Sequence, residues 1–319
     1  MQRKRDRFCG IGAAIGMLVL IFDSRHALEG ARSALELCLS TVIPSLFPFF
    51  LLSTLLTNAL GNETYRFLGP LSKAFGIPRA AESIWIPSFL GGYPVGAKCA
   101  GDLYQSGQIP RKEAERLLAF CNNVGPAFLF GMVAASFPER YMVWLLWIIH
   151  ILSALLTAAF TPVEKSCISA EKTAQIPRRI PAVASAAKAM CLVCCWVVLF
   201  RIIITFLNVW FLWMFPQWLQ TLLIGILELT NGCCELLRIT DVRLRFIVCS
   251  CILALGGVCV LFQTASVTPG ISIGYYIKGK LMQTAFSALI SCAIMLNQGL
   301  FVPALTLFFL YVIRKMKNG

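Results

Sequence analysis

Residues 89–108, FLGGYPVGAKCAGDLYQSGQ, decide how this chain folds. They sit in a sequence that is 58% hydrophobic and 13% charged, with a mean hydropathy of +0.76, a composition foreign to soluble globular domains. Several apolar runs reach the length of a bilayer-crossing helix, and none alternates in the manner of barrel strands. Yet Gly91, Gly92, Pro94 and Gly96 crowd together here and Lys98 follows. A freed backbone N–H or C=O costs several kcal/mol in lipid, so such a break persists only against other protein or a cavity. Segment 84–100 is therefore expected to be a re-entrant hairpin with Gly-Gly-Tyr-Pro at its tip. The glycines admit positive φ and close approach, and Pro94 fixes the turn. A kinked crossing helix is the alternative.

Around this stretch the sequence predicts an all-α, polytopic membrane protein with about eight transmembrane helices, at 8–22, 40–60, 117–137, 141–160, 187–207, 245–265, 283–297 and 300–313. The net charge of +13 comes from basic residues gathered at the ends of apolar runs. Arg3, Lys4, Arg5 and Arg7 open the chain, Arg178 and Arg179 lie mid-chain, and Arg314, Lys315 and Lys317 close it. Such flanking clusters orient membrane helices and argue against a nucleic-acid partner. They place both termini and the loop 162–181 in the cytoplasm, with an uncleaved first helix. Arg238, Arg243 and Arg245 are the exceptions and face outside. The 14 cysteines sit in or beside apolar runs and read as small buried side chains; Cys191-x-x-Cys194 has no second pair at metal-binding spacing. Residues 110–116 read as a solvated interfacial face. No phosphate loop, nucleophile elbow, metal-ligand set or carboxylate pair appears, so neither an enzyme nor a cofactor is expected.

The chain divides into a first helix and connector (1–34), a first unit with a transmembrane helix (35–161), the loop 162–181, a second unit (182–298) and a basic C-terminal helix (299–319). Both units run helix, broken segment, polar-interrupted helix. In the second, the broken segment is 219–236, QTLLIGILELTNGCCELL, and the interrupted one is ALGGVCVLFQTAS, 254–266. With a cytoplasmic N-terminus the units are inverted in the membrane, the pattern of secondary transporters whose sites lie between repeats. The candidate site follows from the breaks: Gly92, Tyr93 and Pro94 at the first tip, and Asn122 and Asn123 before Gly125-Pro126. Thr230 and Asn231 form their counterpart, and Gln263 adds an amide. Adjacent amides and opened carbonyls suit a heterocycle or a carboxylate; interhelical hydrogen bonding is the competing role. Among ionisable residues, Glu228 is a candidate proton carrier. Arg201 pairs with Glu228 or contacts an anion, and Lys98 contacts an anion or snorkels to the headgroups.

The run PSLFPFFLLSTLL, then GGYPVGAK and RKEAERLLAFCNNVGPAFLFG, resembles the sporulation integral membrane protein YlbJ family, which carries the nucleoside-recognition Gate domain; LELTNG and LGGVCVLFQTAS are similar to its second half. The resemblance covers roughly 35–300 and implies two inverted Gate-type repeats. It further implies a role in endospore formation: moving dipicolinic acid across the outer forespore membrane. A small-molecule substrate and the lipid bilayer are then the partners, with a homo-oligomer also open. Transport of nucleosides or another solute, and a non-transporting scaffold or sensor, remain as alternatives.

Overall fold

A computed structural model describes residues 2–60, 69–163 and 181–296, and these form helices joined by turns, with no strand among them. Five stretches of the described residues are long and apolar enough to cross a bilayer: Ser24–Leu52, Arg140–Phe160, Ala182–Trp210, Val242–Val267 and Gly274–Leu296. The chain is a multi-pass helical membrane protein. Nearly all of loop 162–181, the predicted crossing 300–313 and the basic tail lie outside the described residues.

Helix α1 (Gln2–Phe22) has a short apolar part, Ala13–Phe22, where the sequence predicts a full crossing. Asp23 caps α2 (Ser24–Leu37), which runs through a π-helical turn, Cys38–Val42, into α3 (Ile43–Leu60). The sequence predicts a crossing only from residue 40. The π turn has a local cause: Pro44 cannot donate to Ser40, and its ring presses on that carbonyl. Shifting the register so that Ile43 N–H reaches the Cys38 carbonyl carries the helix past the obstruction.

After α4 (Gly69–Ala74), a 3-10 turn at Arg79–Ile84 leads into α5 (Trp85–Leu90), and the chain reverses at 91–94 into α6 (Val95–Gln105). The Arg79–Ile84 turn packs back on α6, which a hairpin allows and a straight kinked helix does not. Helix α7 (Arg111–Leu118) then stops near the start of the polar-interrupted crossing that the sequence predicts at 117–137. Residues 119–125 leave the helix, α8 (Pro126–Gly131) restarts it, and a 3-10 turn, Val133–Ser136, ends it. Pro126 pushes Gly125 into an extended conformation (φ −87°, ψ 155°), so the helix cannot pass through. Helix α9 (Arg140–Phe160) matches its expected span.

The second half opens with α10 (Ala182–Trp210), and α11 (Gln217–Leu227) folds back on α12 (Leu229–Cys234) at Glu228. Two contacts centred on that residue define the reversal. The backbones of Gly225 and Gly232 touch, and the Thr221 hydroxyl donates to the Glu235 carbonyl at 3.3 Å. Helices α13 (Val242–Leu255) and α14 (Gly257–Val267) form one span broken at Gly256 and Gly257, whose φ angles are +74° and +83°. Helix α15 (Gly274–Leu296) starts well before the predicted residue 283. The order α3, hairpin α5–α6, broken pair α7–α8, α9 thus recurs as α10, hairpin α11–α12, broken pair α13–α14, α15. The halves interlock: one core joins α3, α5–α7 and α10, and the other joins α8 and α9 to α12 and α13.

Several polar side chains depart from their expected places. Arg116, predicted on a solvated face, is 2% exposed. It pairs with Glu113 at 2.9 Å and donates to the Phe75 and Gly76 carbonyls at 3.2 and 2.7 Å, because α7 lies inside the bundle against α6 and α15. Arg245 is also buried, donating to the Ile239 and Ser136 carbonyls, both at 2.8 Å. Arg238 pairs with Glu235 at 2.5 Å. Cys38, Cys99, Cys121, Cys233, Cys249 and Cys259 are buried, as expected, whereas Cys191, Cys195 and Cys234 are exposed.

Candidate functional site

The breaks of both halves meet. At Gly96 a Cβ would fall 1.7 Å from the Cys121 carbonyl oxygen, and at Gly125 one would fall 2.8 Å from the Gly92 nitrogen. The hairpin tip, with Gly92 at φ +81°, therefore lies backbone to backbone on the α7–α8 break, a fit open only to glycine. In the second half the α13–α14 break sits against the carbonyls of Gly225 and Ile226 near the Glu228 tip.

Side chains join one half to the other. The Tyr93 ring lies over Gly256, and its hydroxyl donates to the Leu253 carbonyl at 3.0 Å, at the end of α13. Asn122 Nδ2 donates to Thr264 Oγ1 at 3.0 Å, and its Oδ1 accepts from Ala97 N–H at 3.4 Å. Asn123 Nδ2 donates to the Phe120 carbonyl at 2.7 Å, and its Oδ1 accepts from Gln283 Nε2 at 3.1 Å. The Val124 N–H freed by the break donates to His150 Nε2 at 3.1 Å. Backbone and amide groups that lipid would leave unpaired are satisfied inside the protein, as the physics of a break at membrane depth requires.

Between the two tips lies a narrow cavity whose polar lining is Thr41, Ser45, Tyr93, Glu228, Thr230 and Gln263, with Gly92 and Gly125 adding backbone and α10 adding Val193 and Val197. The space open to a water-sized sphere is about 40 Å³, room for about three waters. Glu228 belongs to it as both wall and cap. One carboxylate oxygen accepts from Thr230 N–H at 3.0 Å; the other accepts from Asn231 N–H at 2.7 Å and Asn231 Nδ2 at 2.6 Å. These bonds satisfy the first N–H groups of α12, the role of an N-terminal cap. Arg201 donates to Asn231 Oδ1, so guanidinium and carboxylate are linked through the amide rather than in direct contact.

Of the residues singled out in the sequence, Gly92, Tyr93, Glu228, Thr230 and Gln263 line the cavity. Pro94, at the start of α6, Asn122 and Asn123 do not line it; the two amides bond to neighbouring helices. Asn231 and Arg201 stand beside the second tip, outside the lining. Lys98 is elsewhere, neither snorkelling nor in the cavity. It is buried, pairs with Asp102 at 2.6 Å and donates to Thr54 Oγ1 at 3.1 Å. The sequence reading misses Lys280, Gln283, His150 and Thr264. Lys280 precedes the run predicted to cross from 283, so its charge falls on the polar side of that boundary.

Fold and site together define a multi-pass helical membrane protein whose interrupted helices converge on a narrow cavity with six polar side chains in a largely apolar wall. Over 126 residues, 38% of its length, the chain is 36% identical to the sporulation integral membrane protein YlbJ of Bacillus subtilis (strain 168). The match spans 30% of that relative's length. Over this stretch the resemblance read from the sequence is borne out. No family model matches the chain, and no solved structure does.

Proposed function

We propose that this protein transports a small aromatic or anionic solute, with dipicolinic acid crossing the outer forespore membrane during endospore formation as the leading substrate. One observation carries the reading: broken helices from both halves bring polar side chains and opened backbone to a single cavity within an apolar bundle. Paired discontinuous helices at a repeat interface are how secondary transporters build their sites. The recurring element order supports treating 35–161 and 182–298 as inverted repeats, and the basic clusters support cytoplasmic termini. The sporulation role comes from the likeness to the Bacillus protein. A pyridine dicarboxylate is larger than the open space, so uptake requires the tips to move apart, as alternating access demands.

A second reading, nucleoside transport, draws on the cavity wall itself, whose charged side chain is an acid, Glu228. Proteoliposome uptake of labelled dipicolinate and of uridine decides between them. Dipicolinate accumulation, absent from empty vesicles, supports the leading substrate, and uridine accumulation alone supports the second. A protein moving neither solute fits the scaffold alternative.

A further inference from the structure

Lys280 is a deeply buried cation with no carboxylate beside it among the described residues. It is 2% exposed on α15, one residue after Gly279, which lies against the backbone of Ala119 at the α7–α8 break. Its Nζ donates to Tyr93 Oη at 3.0 Å and to Gln283 Oε1 at 2.6 Å, and lies 4.9 Å from the centre of the Tyr93 ring. An ammonium has three N–H groups. Two have acceptors here, and no carboxylate lies within 4.0 Å among the described residues. Lys98 has Asp102 and Arg116 has Glu113, whereas Arg245, like Lys280, meets neutral acceptors, in its case two backbone carbonyls. A buried charge without its counter-charge costs several kcal/mol and is retained where function uses it.

His150 adds a second donor to the same cluster. Its Nε2 accepts from Val124 N–H, so the ring proton resides on Nδ1. That Nδ1 is buried and meets no acceptor among the described residues. The His150 carbonyl meanwhile accepts from Gln283, the residue that also holds Lys280. The cluster behind Tyr93 is thus rich in buried donors and lacks an anion. Tyr93 is the wall between this cluster and the cavity: the residue lines the cavity and its hydroxyl holds Lys280.

We propose that Lys280 is the anion-binding cation of this protein, taking a solute carboxylate as its third partner once Tyr93 turns out of the way. The inference rests on the transport reading only in naming an aromatic carboxylate as the anion. It assigns the positive charge to a residue other than Lys98, which Asp102 neutralises, and Arg201, which is only half-buried and bonds to Asn231 beside the second tip.

The test uses the purified full-length protein in detergent, wild type beside K280Q and K280R. Binding is followed by thermal shift and titration calorimetry with pyridine-2,6-dicarboxylate, nicotinate, benzoate and the uncharged pyridine-2,6-dicarboxamide. Expected are stabilisation of the wild type by at least one carboxylate and none by the diamide. K280Q should bind about thirtyfold more weakly or worse, the scale for removing one partner of a buried charge pair, and K280R should lose less. Without ligand, K280Q should melt no lower than wild type, because removing an unpaired charge relieves a cost. Wild-type affinity in K280Q, equal binding of carboxylate and diamide, or no carboxylate binding at all overturns the proposal. So does a K280Q protein that melts well below wild type, since the ammonium is then a structural anchor. Uptake separates the two readings. Carboxylate binding that depends on Lys280 without uptake retires transport and keeps the anion site; unimpaired uptake by K280Q keeps transport and retires the site.

Discussion

Gly96→Ala tests the backbone contact on which the cavity is built. The added methyl falls 1.7 Å from the Cys121 carbonyl oxygen, 2.8 Å from its carbon and 3.2 Å from the Asn122 Cα. All three are main-chain atoms, so no rotamer change relieves the clash. Carbon–oxygen contacts settle near 3.3 Å, so α6 and the α7–α8 break must part by about 1.6 Å. Overpacking of this kind costs about 1–3 kcal/mol. The shift also pulls on the Asn122 bonds to Ala97 and Thr264, where interhelical bonds contribute about 0.6 to 1.7 kcal/mol. The expected total is about 2–5 kcal/mol, lowering the ratio of folded to unfolded protein at fixed denaturant about thirtyfold or more. Reversible unfolding in mixed detergent micelles measures it, with Gly131→Ala as the control, since nothing lies within 4 Å of a Cβ there. A Gly96→Ala protein as stable as that control would refute the backbone-to-backbone fit and the cavity geometry with it.

Other expectations follow from single contacts. A double-mutant cycle between Asn122→Ala and Thr264→Val should return a coupling of about 0.6 to 1.7 kcal/mol, measured in the same unfolding titration; zero coupling removes the cross-half bond. Arg116→Met should destabilise by about 3–5 kcal/mol, since it strands the buried Glu113 carboxylate, whereas Arg116→Met with Glu113→Leu should recover most of that loss. Arg201→Gln combined with Glu228→Gln should not regain wild-type stability, because Asn231 stands between the two and α12 keeps only one of its two capping oxygens. Equal melting temperatures for the double variant and the wild type contradict that arrangement.

Both hairpins are legible in the sequence because glycine, proline and an Asn-Gly pair interrupt apolar runs that lipid would otherwise hold straight. The exact tips are less so: the second lies at Glu228, whose capping of α12 depends on backbone conformation rather than residue type. The break before Gly125-Pro126 is legible, but the stop of α7 at Leu118 is not, since Leu117 to Cys121 continues an apolar pattern. The α2–α3 continuity is hidden too, because α2 is amphipathic and packs on α10, so its polar residues read as a connector. Arg116 is misplaced and Lys280 missed for one reason: a charged side chain beside an apolar run reads as water-facing until its buried partners are known.

The bonds across the halves also set a timetable for biogenesis. Asn122 waits for Thr264, Asn123 for Gln283 and Tyr93 for Lys280, partners that follow by 142, 160 and 187 residues. At translation rates of about 5–20 residues per second, these separations correspond to roughly 7 to 40 seconds. For that interval the first hairpin tip and the α7–α8 break are in the membrane without their final partners. The insertion machinery, or water admitted beside it, must shelter these groups until α13 to α15 emerge. A nascent chain halted before Thr264 therefore holds all of its first half yet lacks the partners of Asn122, Asn123 and Tyr93 on α14 and α15.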